Sequence, residues 1–213
     1  MKVIAIDGPA ASGKSSVAKR LARRLQCSYV NSGSMYRAVT WELLREGIDP
    51  ARVDAVEATI ARMDLGCGFS EDGESYIRVN SRIPDAELRE SEVNNNVSAV
   101  SAIPAVRHLI VSRLRSLANE RDVVMEGRDI GTAVFPETPY KFYLDASPEI
   151  RRQRRAAEGQ TDSIEKRDKL DSTRKEAPLK IANDAYVVDT SHMSLEDVVE
   201  KVFGIIQSAN PAR

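Results

Sequence analysis

The sequence predicts an α/β fold, a parallel β-sheet covered by helices on both faces. Three observations carry this reading. Short apolar runs alternate with longer stretches whose apolar residues recur every three or four positions, the rhythm of successive βα units. The first run, residues 3–6, is apolar throughout and is followed by a glycine-rich turn, as expected of a parallel strand buried on both faces. Finally, 213 residues with 42% hydrophobic and 30% charged side chains and a net charge of −1 can bury a sizeable core in one main domain with room for an insertion. The same figures argue against a disordered tail or a coiled coil.

Taken in order, the run at 3–6 and its turn lead to Lys14–Leu25, where Val17, Ala18, Leu21, Ala22 and Leu25 line one helical face and Lys19, Arg20, Arg23 and Arg24 fall between them. Residues 27–30 read as a second strand and 35–46 as a helix stopped by Gly47. A helical stretch near 54–63 follows. Leu65–Phe69 and residues 75–80 then flank Glu71-Asp72-Gly73, the turn signal of an inserted hairpin. Polar residues over 85–96 lead into a helix at 105–119, opened by Pro104. Residues 123–125 form a strand running into Glu126-Gly127-Arg128-Asp129, and 141–144 form another. Ser147-Pro148-Glu149 starts the next helix with a cap, a first-turn proline and an acidic residue. Residues 185–188 are the last strand, and Ser194 with Asp197 opens a C-terminal helix reaching about Ser208.

Charge and cysteine content narrow the function classes. With 31 basic and 32 acidic residues, the chain lacks the broad basic field of a protein that binds long nucleic acid, so an anionic partner must be met locally. Of the basic residues 22 are Arg, the side chain whose planar fork fits phosphate. Cys27 and Cys67 are too few for a disulfide framework or a zinc site, which points to a reducing, cytoplasmic setting. The run after Met1-Lys2 is too short for a signal-peptide core and no apolar run reaches 18 residues, so neither secretion nor membrane spanning is expected.

Directly after the first strand stands Gly8-Pro9-Ala10-Ala11-Ser12-Gly13-Lys14-Ser15, a full match to G-x-x-x-x-G-K-[ST], with Ser16 continuing into the helix. Its glycines let the backbone wrap an anion, and its N–H groups and the helix N-terminus supply fixed positive dipoles. Lys14 adds a point charge, and the Ser15 hydroxyl suits Mg²⁺. A nucleoside triphosphate with Mg²⁺ is therefore the expected ligand, in a P-loop NTPase-type fold. The loop alone does not separate a switch GTPase, an ATPase and a small-molecule kinase. The chain has neither an N-K-x-D signature nor an Asp followed three positions later by Gly, which disfavours the GTPase.

A second turn at a strand end, Asn31-Ser32-Gly33-Ser34-Met35-Tyr36-Arg37, lies where open α/β sheets bind ligands. Together with the phosphate loop, the elements Gly127-Arg128-Asp129-Ile130-Gly131-Thr132-Ala133-Val134-Phe135-Pro136, Leu144-Asp145-Ala146-Ser147, and Arg167-Asp168 through Arg174 to Ala177-Pro178-Leu179 resemble those of the bacterial cytidylate (CMP) kinases. The resemblance is ordered and spans nearly the whole chain. It implies reversible transfer of the γ-phosphoryl of ATP to CMP or dCMP with Mg²⁺, by a monomer of nucleoside monophosphate kinase fold. In that fold residues 1–61 and 101–213 would form the core, 62–100 an inserted acceptor-binding region, and a stretch near 147–175 a short helical lid.

The resemblance also implies roles. Ser32, Arg107, Asp129 and Arg174 match positions around the cytosine ring, where a carboxylate accepting from the exocyclic amine and arginines donating to the ring acceptors suit cytosine better than uracil. Ser98, Arg167 and Asp171 match positions near the sugar, and Arg37 and Arg128 those nearest the acceptor phosphate. Of the basic run at 151–155, Arg151 and Arg155 share a helical face and are expected, with Arg154 as a further candidate, to close over the donor phosphates with Lys14 and Arg128. That run lacks the interleaved aromatics of an RNA-binding surface. No general base is needed, because the acceptor is already an oxyanion, and His108 and His192 are read as structural. The family usually has an aspartate where this chain has Asn31. Ser15 is then the one expected metal residue, with Asp129 or Asp7 able to supply the missing negative charge. The competing readings are a P-loop kinase of UMP or of another metabolite, and a non-enzymatic nucleotide switch.

Overall fold

The computed structural model describes residues 1–157, 159 and 164–209; positions 158 and 160–163 of the expected lid, and 210–213, lie outside the described residues. The elements in chain order are β1 (Val3–Asp7), α1 (Lys14–Leu25), β2 (Ser28–Asn31), α2 (Ser32–Arg45), α3 (Val53–Arg62), β3 (Leu65–Phe69), β4 (Ser75–Val79), α4 (Ser91–Ser101), α5 (Pro104–Glu120), β5 (Val123–Gly127), β6 (Tyr140–Asp145), α6 (Pro148–Ala157), α7 (Ile164–Thr173), β7 (Tyr186–Asp189) and α8 (Leu195–Ala209). A 3₁₀ turn at Ala86–Arg89 and a π-helical turn at Ile130–Val134 complete them.

The main sheet is parallel, in the order β2-β5-β1-β6-β7. Period-two alternation along its strands divides the core. Ala5, Val123 and Met125 face one side, with α2, α5 and the β3–β4 hairpin packed there through Met35, Val39, Leu43, Leu65, Ile77 and Ile110. Ile4, Ile6, Val124, Phe142 and Leu144 face the other, covered by α1 and α8 through Val17, Leu21, Val198 and Val202. Burial on both faces is why these strands are continuously apolar. The antiparallel hairpin is a separate sheet. Its turn docks on the edge of the main sheet, where the Tyr29 N–H donates to Gly73 O at 2.9 Å and Lys19 pairs with Glu74 at 2.5 Å. Among the described residues, no single helix is long and apolar enough to cross a membrane.

Three local expectations shift. Helix α2 begins at Ser32 rather than 35, because the Asn31 side chain accepts from the Ser34 N–H at 3.1 Å and caps it. The polar stretch at 85–96 holds a 3₁₀ turn and most of α4. Val93, Val97 and Val100 are buried at helical spacing, a pattern hidden in the sequence by the weak helix formers Asn94, Asn95 and Asn96. The last strand runs one residue later than 185–188, as Tyr186–Asp189. The C-terminal cap is as expected: Ser194 Oγ donates to Asp197 Oδ2 at 2.7 Å, and the Asp197 N–H donates back to Ser194 Oγ at 3.2 Å.

Candidate active site

The parallel register sets Asp7 beside Gly127, and Asn31 beside Glu126, at the C-terminal edge of the sheet. From β1 the chain crosses to β2 on one side, and β6 lies on the other. This is the switch point at which open α/β sheets bind ligands. The cleft there is lined by Lys14, Ser15, Ser32, Arg37, Ser98, Glu126, Arg128, Asp129, Arg155, Arg167, Asp171 and Arg174, together with the loop residues Ala10, Ala11, Gly13 and Ser16. Residues from five strand or helix ends and from α7 thus meet, and the cations among them sit on a chain of net charge −1.

The loop geometry follows from its glycines. A Cβ on Gly8 would lie 2.1 Å from the Leu144 carbonyl oxygen, so only glycine lets β1 and β6 approach this closely. Gly13 is left-handed (φ 86°) and turns the chain into α1. Lys14 folds back to donate to Pro9 O at 2.8 Å. Burial pushes its amine down to about 7, and the nearby Arg128 adds to that. Gly8, Pro9 and Ser12 belong to the loop but do not line the cleft; the buried Ser12 hydroxyl has no hydrogen-bond partner among the described residues. On the far side of the loop, Ser12, Gly13 and Val17 line a second, more apolar cavity with Arg154, Met193 and Leu195.

The residue that sequence reasoning missed is Glu126. It is 3% exposed at the end of β5, and its Oε1 accepts from Ser15 Oγ at 2.6 Å and from Tyr29 OH at 3.0 Å. The available signal was an acid at the end of a strand pairing with the strand that feeds the loop. Asn31 is spent elsewhere: its carbonyl caps α2, and its amide donates to Tyr29 OH at 3.3 Å. The two aspartates expected as alternative metal groups are occupied as well. Both oxygens of Asp7 accept backbone N–H groups, from Ile130 at 2.8 Å and Gly131 at 2.7 Å. Burial still pushes the Asp7 carboxyl up to about 7. A hydroxyl paired with a carboxylate is a hard-oxygen donor set that fits Mg²⁺, so Ser15 and Glu126 are the residues that would hold it.

Asp129 lies at the centre of the acceptor half. Its Oδ2 accepts from Arg107 Nη2 and its Oδ1 from Arg174 Nη2 at 2.9 Å, all three side chains nearly inaccessible. Arg107 does not reach the cleft surface; it backs Asp129 and packs beside the Tyr36 ring. Arg128 Nε donates to Asp171 at 3.1 Å. Ser32 Oγ donates to the Glu126 carbonyl at 2.8 Å. Arg37 reaches Leu88 O at 3.2 Å and Asn94 Oδ1 at 2.5 Å, tying α2 to the segment before and within α4. On α6 the arginines diverge: Arg155 faces the cleft, Arg154 donates to Thr190 at 3.0 and 2.8 Å, and Arg152 is exposed. Arg151, expected over the phosphates, does not line the cleft. It donates to Ala146 O and Ala10 O, each at 3.2 Å, and to Asp168.

The chain as a whole is similar to known proteins. The cytidylate kinase family model matches residues 4–208. A cytidylate kinase of Mycobacterium avium (strain 104) is 44% identical, covering 96% of this chain and 95% of its own. One of Clostridium botulinum (strain Langeland) is 41% identical, covering 96% and 97%. Among solved structures, shikimate kinase from Acinetobacter baumannii in complex with shikimate is similar at a TM-score of 0.49 and 16% identity, covering 100% of this chain and 96% of that one. A phosphate loop, a Gly-Arg-Asp turn beside it and a match over almost the whole length converge: this chain belongs to the cytidylate kinase family.

Proposed function

We propose that the protein transfers the γ-phosphoryl group of ATP, with Mg²⁺, to CMP or dCMP, giving ADP and CDP or dCDP. The observation that carries this is the buried Asp129, held between Arg107 and Arg174 in the same cleft as the phosphate loop. A fixed carboxylate flanked by guanidinium donors offers an acceptor to an exocyclic amine and donors to the ring carbonyl and nitrogen, the pattern cytosine complements and uracil partly inverts.

In this reading 1–61 and 101–213 are the core, 62–100 the acceptor-binding insertion, and the region near 147–175 the lid. The loop Gly8 to Ser16 cradles the donor phosphates, and the second cavity, with Arg154 beside an apolar wall, takes the donor base. Ser32, Asp129 and Arg174 hold the cytosine, with Arg107 fixing Asp129 from behind; Ser98, Arg167 and Asp171 hold the sugar; Arg37 and Arg128 hold the acceptor phosphate. An oxygen of that phosphate attacks the γ-phosphorus as the bond to the β-bridging oxygen breaks, and ADP departs with the electron pair. The nucleophile is already ionised, so no side chain has to remove a proton. What remains is alignment, water exclusion and neutralisation of the charge spread over the transferring group, to which Lys14, Arg128 and Arg155 contribute. Bound Mg²⁺, on Ser15 and near Glu126, would supply further neutralisation of the β- and γ-oxygens. The protein acts as a cytoplasmic monomer on small nucleotides. Incubation with MgATP and each nucleoside monophosphate, following ADP release, tests the reading: CMP and dCMP should be phosphorylated, and no turnover with any monophosphate would remove it.

A further inference from the structure

Asp168 has no part in the roles above, yet it is where the lid and the phosphate loop meet. It lies on α7, its side chain 16% exposed. One carboxylate oxygen accepts from the N–H of Ala10 at 3.2 Å, and the other from Arg151 Nη1 on α6. The same Nη1 donates to the carbonyl of Ala10 at 3.2 Å. The main chain of Ala10 is therefore gripped on both sides, its N–H by a carboxylate and its C=O by a guanidinium. Those groups come from 158 and 141 positions away in sequence.

Each part of this contact restricts the others. A half-exposed arginine samples many rotamers, at an entropic cost to order of about 2 kcal/mol. Arg151, 12% exposed and engaged by Ala146 O, Ala10 O and Asp168, is already ordered. Arg155 follows it by one helical turn on the same face of α6 and lines the cleft. Fixing Arg151 against the loop thus fixes the height and rotation at which α6 presents Arg155. Removing the carboxylate would leave a poorly solvated guanidinium with no counter-charge and an unmatched loop N–H beside the donor phosphates.

We propose that Asp168 is a positioning residue: its carboxylate, shared between the Ala10 N–H and Arg151, latches the lid helix onto the phosphate loop and sets Arg155 over the transferring phosphoryl group. This rests on the reading of the loop as the donor site. A displacement of about 1 Å in such a group costs on the order of a hundredfold in rate, so the latch should appear in kcat more than in binding of the acceptor.

The test uses the full chain with Asp168→Ala, Asp168→Asn, Arg151→Ala and the double alanine variant, read by steady-state kinetics and by amide hydrogen exchange over the phosphate loop without substrate. Asp168→Ala should lower kcat by about tenfold or more while KM for CMP moves by less than about threefold. The Asn variant, which keeps an acceptor for the Ala10 N–H, should recover part of the loss. The double variant should lose less than the product of the two single losses, since both single variants already break the Asp168–Arg151 pair. Exchange at Ala10 should quicken in each alanine variant. Kcat within about twofold of the parent, multiplicative losses, or unchanged exchange would each overturn the latch; so would a fall in Tm with unaltered kcat. A parent protein inactive with every monophosphate, but with exchange responding as expected, would remove the donor-site reading and leave the latch standing.

Discussion

Filling the phosphate loop should draw a proton onto the protein. In the free chain burial and the neighbouring Arg128 push the Lys14 amine down to about 7 from its ordinary value near 10.5, so about half the molecules carry the charge at pH 7 and about a tenth at pH 8. Phosphate oxygens within contact of the amine restore the charged form. Binding of MgATP should then take up about 0.1 proton at pH 6, about 0.5 at pH 7 and about 0.9 at pH 8. Affinity should weaken by about fivefold between pH 7 and 8, about 1 kcal/mol, with the slope approaching tenfold per pH unit beyond that. Asp7 adds to the same sign, because its carboxyl, pushed up to about 7 by burial, is driven further toward the protonated form by an arriving polyanion. Isothermal titration calorimetry in two buffers of different ionisation enthalpy reads the proton count directly, and Lys14→Met should remove most of the uptake at pH 8. Proton release, or no uptake at pH 8, would refute the claim that the free loop holds a largely neutral lysine.

Three further outcomes follow from named contacts. Asp129→Ala should narrow the preference for CMP over UMP by about 1–3 kcal/mol, read as the ratio of the two kcat/KM values; an unchanged ratio would place base recognition elsewhere. Glu126→Gln keeps the shape but loses the charge beside Ser15, and should raise the Mg²⁺ concentration needed for half-maximal binding of the nucleotide complex by about tenfold or more, measured by titration at fixed ATP. Gly8→Ala would drive a methyl into the Leu144 carbonyl and should destabilise the fold by about 1–3 kcal/mol or more, seen as a lowered Tm.

What was legible in the sequence is what is local. The phosphate loop and the amphipathic face of α1 are contiguous in the chain, and strand-then-turn-then-helix carries its own geometry. The parallel sheet followed from the same βα rhythm, and the capped starts of α6 and α8 from single residues, Ser147 and Ser194. What escaped depends on pairing between distant segments. Glu126 acquires its meaning only when β5 settles beside β1 and brings it to Ser15, 111 positions away. Arg151 was expected to face the phosphates because the helix periodicity shows a face but not its target, and Asp168, which binds it, sits on another helix. Helix α4 was obscured by three asparagines whose low propensity is outweighed by burial of Val93, Val97 and Val100.

The most direct test of the account is the rate of ADP formation from MgATP with CMP and with UMP as acceptors, measured side by side on the purified chain. Rapid turnover is expected with CMP, and a kcat/KM for UMP lower by about one to two orders of magnitude, the worth of one buried base-edge contact. Equal rates with the two pyrimidines would contradict the cytosine reading of Asp129, and no ADP with either would contradict the assignment of the cleft as a nucleotide phosphotransfer site.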